Sequence, residues 1–394
     1  MKLVRGANII CLSSIDWAFN RQNPQEVASA FAEMGNRVLF IENTGVRRAA
    51  LRDAGRLWSR FRNWRRASRG VTPVAHNIDV HSPLLIPLPY SRLAGYANIR
   101  LLLRVIRRWL AADAARPLVF ITFLPTPLAL SLIRSLDPDF VVYYCIDRLS
   151  ESSPGARKLH DFEPTLIVQA DLVLLTAETL RSPAMSEARR VEMLPSGVRF
   201  QDFENARRDR SDPPPVFGGL RGPVAGFVGS LRDQTDLALL EQTVALAPDL
   251  NFVFVGPVMT NVSRLAAHPN VRIVGPVPHR DVMRYMTHFD VGILPYVIDE
   301  FTTGIMPAKL KEYLAAGLPA VSTALPEVRR FAEKHSGVIE FACDAPAFAA
   351  ALRAAVSSDD PDVVERRIAV ARHYDWSEQL SRVSGMIAEM MGGL

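Results

Sequence analysis

The stretch DEFTTGIMPAKLKEYLAAGLPAVST (299–323) holds the densest chemistry in the chain. Pro307 suits a helix start, Lys309 falls in the first turn, and Glu312 stands three residues further on. A helix start offers unpaired backbone N–H groups and the positive end of the helix dipole, which together favour a diphosphate. Lys309 would add a full charge there, and Glu312, one turn deeper, could accept hydrogen bonds from a ribose diol. Ala315, Ala316 and Gly317 close the helix with small residues, as a helix lying close to a sheet requires. Thr302, Thr303 and Gly304 precede it and could touch sugar hydroxyls or phosphate; Tyr296 ends the strand before them.

Proton transfer needs a different group. Asp147 follows the apolar run FVVYYCI (140–146), and Asp16 follows ANIICLSS (7–14) beside Trp17. The carboxyl ends of parallel strands border the ligand crevice, and a carboxylate there could take the proton of an acceptor hydroxyl. Asp147 is the first candidate base and Asp16 its rival; a loop-fixing role is open to each. The cysteines, Cys11, Cys145 and Cys343, form no CxxC pair and lie in or beside apolar stretches, so buried free thiols are expected. The histidines show no ligand spacing, so neither a metal nor another cofactor is expected.

These residues need a scaffold, and its pattern is strand followed by helix. Apolar runs at 7–14, 37–43, 118–123, 140–146 and 171–177 alternate with helix-length segments. Asn23-Pro24-Gln25-Glu26 predicts a helix capped by Asn23, with Glu26 reaching back to the cap. The stretch 200–222, with three consecutive prolines, reads as a linker, after which the pattern restarts at 223–230, 251–256, 271–275, 290–296, 319–323 and 337–341. Continuous apolar strands indicate parallel sheets covered on both faces. The chain of 394 residues suits two such domains. The expected division is a first domain over 1–205, a linker over 206–222, a second domain over 223–372, and a closing helix over 373–394 that packs back on the first domain.

Pro-x-Lys-Leu-x-Glu-Tyr-Leu-Ala-x-Gly-x-Pro after a strand ending in Pro-Tyr resembles the donor-site signature of GT-B glycosyltransferases, in particular glycosyltransferase family 4. AGFVGSLRDQTDLALLEQTVALAPDLNFVFVGP (225–257) and NVRIVGPVPHRDVMRYMTHFDVGILPY (270–296) are similar to the opening and middle of that donor domain. The first forty or so residues resemble a subgroup that assembles surface polysaccharides. The resemblance implies an α/β fold of two Rossmann-like domains facing a cleft, and a UDP- or GDP-sugar donor held by the second. It places the base near Gly275 and Val277 and brings Gly229, Ser230 and Arg232 to the diphosphate, while Tyr296, facing the same cleft, and Thr303 are further candidate donor contacts. Retaining members carry a glutamate seven residues before a second one; with Glu312 as the second, Gly304 stands where the first would be, and the motif leaves the stereochemical course open. A nucleotide-sugar epimerase and a non-catalytic nucleotide-sugar-binding protein are the rival readings.

Charge is distributed unevenly. Residues 1–211 contain about 30 Lys and Arg against 20 Asp and Glu, and the remainder reverses the sign. The excess concentrates in Arg47–Arg69, with nine arginines and one acid, interleaved with Leu51, Leu57, Trp58, Phe61 and Trp64. That is a basic amphipathic pattern suited to an anionic membrane surface, with Trp58, Arg62, Trp64, Arg65 and Arg66 as the expected contacts. A lipid-linked acceptor would account for it. No nucleic-acid motif accompanies the arginines, and nucleic acid is not an expected partner. The N-terminus has no signal-peptide pattern and no apolar run reaches the length of a membrane span, so a cytoplasmic protein, peripheral at the inner face of the membrane, is the expectation.

Overall fold

The computed structural model describes residues 2–18, 21–42, 70–86, 88, 90–151, 156–208, 212–357 and 360–392. The chain divides into two compact units, Met1–Pro195 with Gln379–Leu394, and Ser196–Glu378.

The first unit is built on an eight-stranded sheet. Its strands are β1 (Asn8–Leu12), β2 (Arg37–Ile41), β3 (Thr72–Ala75), β4 (Ile78–His81), β5 (Leu118–Thr122), β6 (Phe140–Cys145), β7 (Leu172–Leu175) and β8 (Val191–Met193). Their order is β3-β4-β2-β1-β5-β6-β7-β8, parallel except for the antiparallel β3–β4 pair. Every residue of β1, β5, β6 and β7 is buried, which is why these strands read as unbroken apolar runs. The sequence pattern misses β3, β4 and β8. The residues of β3 are exposed and include Pro73, β8 is three half-buried residues at the opposite edge, and β4 alternates apolar with polar residues.

The second unit carries six parallel strands: β9 (Val224–Val228), β10 (Asn251–Val255), β11 (Val271–Gly275), β12 (Val291–Leu294), β13 (Ala320–Ser322) and β14 (Ile339–Phe341). They run in the order β11-β10-β9-β12-β13-β14. In both sheets the order reverses beside the first strand of the unit, at β1/β5 and at β9/β12. Such a switch point opens a crevice at the carboxyl ends of the strands. Helices cover the second sheet through clusters that include Leu310, Tyr313 and Leu314 with Phe289 and Val328, and Leu240, Val244, Phe348 and Leu352 with Phe252.

Several local expectations are corrected. The first helix, Asn23–Glu33, is capped by Gln22, whose backbone N–H donates to the Gln25 side chain at 3.0 Å. Glu26 instead binds Arg21, at 2.5 Å, so the capping box lies one residue earlier than the Asn-Pro signal suggests. Within the stretch expected to be a linker, a helix spans Phe200–Arg208 and a turn of 3-10 helix spans Pro215–Phe217. Cys343 is exposed, while Cys11 and Cys145 are buried as expected. The last helix, Trp376–Gly392, runs from the second unit into the residues that group with the first. Among the described residues no helix is long and apolar enough to cross a membrane.

Candidate functional site

In the second unit three neighbouring strands end in glycine. Gly229 follows β9, Gly256 follows β10, and Gly275 closes β11. The Gly256 N–H donates to the Gly275 carbonyl oxygen at 2.8 Å, and the Gly229 N–H to that of Val255 at 2.9 Å. Gly256 has φ +139, and a Cβ there would lie 2.1 Å from the Gly229 carbonyl oxygen. The carboxyl edge of the sheet is thus bare backbone, which lets a ligand approach the main chain closely. Ser230 is half-buried beside it, and Arg232 is exposed.

Across the switch point stands the helix Ala308–Ala315, with Pro307 at its cap position. Its placement follows from Tyr313. That ring is fully buried, packs against Gly292 of β12 where any Cβ would collide with it, and its hydroxyl accepts the Val228 N–H at 3.0 Å. Tyr313 therefore ties the helix to the last residue of β9, directly before Gly229. The sequence offers no spacing that would reveal this role.

Lys309 and Glu312 meet directly. The Lys309 Nζ donates to both carboxylate oxygens of Glu312, at 2.7 and 2.6 Å. The side chains retain 26% and 17% of their exposure, so the pair is open to a ligand from one side. It presents an ammonium at the helix start and a carboxylate one turn deeper, groups able to meet an anion and a hydroxyl donor respectively.

The loop before this helix is held from within. The Thr302 hydroxyl is buried, donates to the Val297 carbonyl oxygen at 2.6 Å and accepts the Asp299 N–H at 2.8 Å. Thr302 is therefore a loop-fixing residue. Thr303 is half-buried and donates to the Glu300 carbonyl oxygen at 2.7 Å, and Gly304 is buried. Tyr296 is half-buried just past β12, its backbone hydrogen-bonded to Thr323. Val277 packs partly against the core beyond β11.

Two residues after Lys309 on the same helix, Lys311 is fully buried, and among the described residues its Nζ has no hydrogen-bond partner. It lies 4.8 Å from the centre of the Tyr374 ring. Burial pulls its pKa down to about 7, against the opposing pull of Glu327.

The two candidate bases belong to the first unit. Asp147 follows β6 and lines a cavity of about 450 Å³ with Arg148, Glu151, Glu163 and Arg181. Tyr143 donates to Glu163 at 2.6 Å. Burial, reinforced by Cys145 and Glu163, holds the Tyr143 phenol well above its usual pKa. Arg148 donates to Glu151 and to the Thr179 carbonyl oxygen. Asp16 lies past β1, with its carbonyl oxygen 3.4 Å from the Gln25 amide. Its neighbour Trp17 donates its backbone N–H to Glu42 at 2.8 Å. Sequence reasoning missed Glu42 and Glu163, because the groups they serve, Trp17 and Ser82 for Glu42 and Tyr143 for Glu163, lie twenty or more residues away in the chain. The expected membrane contacts Trp58, Arg62, Trp64, Arg65 and Arg66 lie outside the described residues.

Residues 222–358 match the family model described as Glycosyl transferases group 1. The chain is 28% identical over 301 residues to the putative teichuronic acid biosynthesis glycosyltransferase TuaH of Bacillus subtilis, covering 70% of this chain and 74% of the relative. Sucrose-phosphate synthase from Thermosynechococcus elongatus superposes with a TM-score of 0.70 at 15% identity, over 98% of this chain and all of the other. The Anabaena protein HepE in complex with UDP-glucose superposes with a TM-score of 0.64 at 14% identity, over 98% of this chain and all of the other. The fold is GT-B, and the chain is a glycosyltransferase, as the motif resemblance implies.

Proposed function

We propose that this glycosyltransferase moves a sugar from a nucleoside-diphosphate donor to a hydroxyl of a lipid-linked acceptor during surface polysaccharide synthesis. The observation that carries the donor reading is the Lys309–Glu312 pair in the first turns of a helix that Tyr313 ties to the end of β9, the strand that Gly229 follows. Lys309, Arg232 and the helix start offset the charge that builds on the diphosphate as the glycosidic bond to it breaks. Glu312 holds the ribose, the turn at Gly275–Val277 lies against the base, and the backbone of Gly229 and Ser230 approaches the phosphates. Tyr296 and Thr303 border the sugar. UDP is the favoured nucleotide, in keeping with the UDP-glucose complex of the similarly folded HepE. The similarity to a putative teichuronic acid glycosyltransferase supports a polysaccharide product.

In this reading Asp147 takes the proton of the acceptor hydroxyl, whose oxygen attacks the anomeric carbon as the nucleoside diphosphate leaves. Asp16 is the rival for that role. The arginines of Arg47–Arg69 draw the first unit to the anionic inner face of the membrane, where a lipid-linked acceptor lies. The test is a transfer assay with UDP- and GDP-sugars and membrane lipid extracts, read by mass spectrometry. A glycosylated lipid formed by the wild type and reduced about 10²–10⁴-fold in Asp147→Asn, with unchanged nucleotide binding, is expected. Full activity of Asp147→Asn would move the base elsewhere. Donor turnover to an isomeric nucleotide sugar without acceptor would mark an epimerase, and donor binding without any turnover would mark a binding protein.

A further inference from the structure

The helix Arg92–Leu110 of the first unit plays no part in the site described above. It buries Ala94, Asn98, Leu102, Ile106 and Trp109 against the sheet, a spacing of three and four that fixes one inward face. Trp109 is locked there by its Nε1 hydrogen bond to Asp79 at 2.7 Å and by the Arg37 guanidinium 4.2 Å above its ring.

The outward face is unusual in two respects. It carries five exposed arginines, Arg92, Arg100, Arg104, Arg107 and Arg108, and the helix contains no acid. Among the described residues none of the five has a carboxylate partner; Arg107 reaches only the Ser135 carbonyl oxygen, and Arg100 lies over the Tyr96 ring at 4.3 Å. Large apolar side chains stand among them: Leu93 is 84% exposed, Tyr96 56% and Leu101 46%. A solvated helix would carry acids to pair with its arginines and would not leave a leucine this bare.

Position adds a third observation. After the arginine-rich stretch the chain re-enters the described fold at Gly70, whose Cβ position lies 3.3 Å from Val105 of this helix. Gly70, the first described residue after that stretch, therefore packs against this same helix.

We propose that the outward face of Arg92–Leu110 is a membrane-docking surface, in which guanidinium groups meet lipid phosphates while Leu93, Tyr96 and Leu101 enter the headgroup boundary. The charge selects an anionic bilayer, and the mixture of arginine with apolar and aromatic side chains suits an interface better than a protein groove. This inference rests on the membrane reading of the first unit, and it moves a defined share of the contact from Arg47–Arg69 to a helix of known orientation.

The experiment is flotation of the full-length protein with phosphatidylcholine vesicles, with and without phosphatidylglycerol, at low and high salt. One variant combines Arg100→Gln, Arg104→Gln and Arg108→Gln; another combines Arg60→Gln, Arg62→Gln, Arg65→Gln and Arg66→Gln. With roughly a fivefold effect per arginine, the helix variant should lose on the order of a hundredfold in partitioning to anionic vesicles while binding UDP normally. An environment-sensitive dye on Leu93→Cys, in a Cys343→Ser background, should shift its emission to the blue with anionic vesicles alone. If the helix variant floats like the wild type and the dye does not respond, while the segment variant is lost from the vesicles, this inference fails and the membrane reading stands. If the wild type itself does not float with anionic vesicles, both fail. Displacement from vesicles by stoichiometric RNA would make the arginines a nucleic-acid face and overturn the inference.

Discussion

The two sheets end differently at their carboxyl edges. In the second unit β9, β10 and β11 finish in Gly229, Gly256 and Gly275, and the helix tied to the end of β9 carries the clasped Lys309 and Glu312. In the first unit the strands run out into side chains: Ser13 after β1, Glu42 after β2, Phe123 after β5, Asp147 two residues after β6, and Thr176 after β7. One edge is suited to a ligand recognised through backbone and phosphate, the other to a ligand recognised through particular side chains. A donor common to many enzymes can share the first kind of site; an acceptor that distinguishes one enzyme from another needs the second.

The largest expected effect comes from filling the bare edge. In Gly256→Ala the new Cβ would stand 2.1 Å from the Gly229 carbonyl oxygen, so the two loops must part. A strained backbone position alone costs about 1–3 kcal/mol, and the clash adds to it. Thermal denaturation should show a large loss, and UDP binding should disappear. Gly6→Ala in the first unit is the control. Gly6 also has positive φ, at +68, but open space around its Cβ position. It should cost about 1 kcal/mol and leave UDP binding unchanged. Equal behaviour of the two variants would mean that the glycine edge has no special role.

A smaller effect is expected within the helix Ala308–Ala315. Lys311 is charged in the unfolded chain up to its ordinary value of 10.5, while burial lowers the folded value to about 7. The unfolded chain then holds the extra proton between those two values, so stability should rise with pH across that window. The penalty is fully present below pH 7. The groups facing Lys311 are Glu327, His335 and the Tyr374 ring. His335, lowered by burial and by neighbouring cations, adds a slope of the same sign at lower pH. Lys311→Met should raise stability at neutral pH by about 1–4 kcal/mol and flatten the profile above pH 7. Urea denaturation at several pH values checks both. A destabilised variant with an unchanged slope would show that the Lys311 charge is stabilised in place.

This contrast also explains what the sequence made legible. The features of the second unit are local: Pro307, Lys309 and Glu312 lie within one turn and a half, and Gly229 and Gly275 directly follow or close apolar strands. Such features survive in linear spacing. Tyr313 did not, because its partners Gly292 and Val228 lie on two other strands. Around Asp147 the lining residues Glu163 and Arg181 come from separate short helices and turns, and nothing in their spacing joins them. The buried central strands were legible from composition; exposed β3 and the alternating β4 were not. The Asn-Pro signal located the first helix correctly but misplaced its cap by one residue, since Gln22 and Gln25 supply the reciprocal bonds.

The most direct test of the central claim is calorimetric titration of UDP and of uridine into the wild type, Lys309→Ala and Glu312→Ala. A charge-assisted hydrogen bond contributes about 1.5–3 kcal/mol. Lys309→Ala should therefore weaken UDP by roughly ten- to a hundredfold and leave uridine nearly unchanged, because the lost contact is to phosphate. Glu312→Ala should weaken UDP and uridine alike, because the lost contact is to ribose. Unchanged UDP affinity in both variants would contradict the assignment of the donor site to the start of the helix Ala308–Ala315.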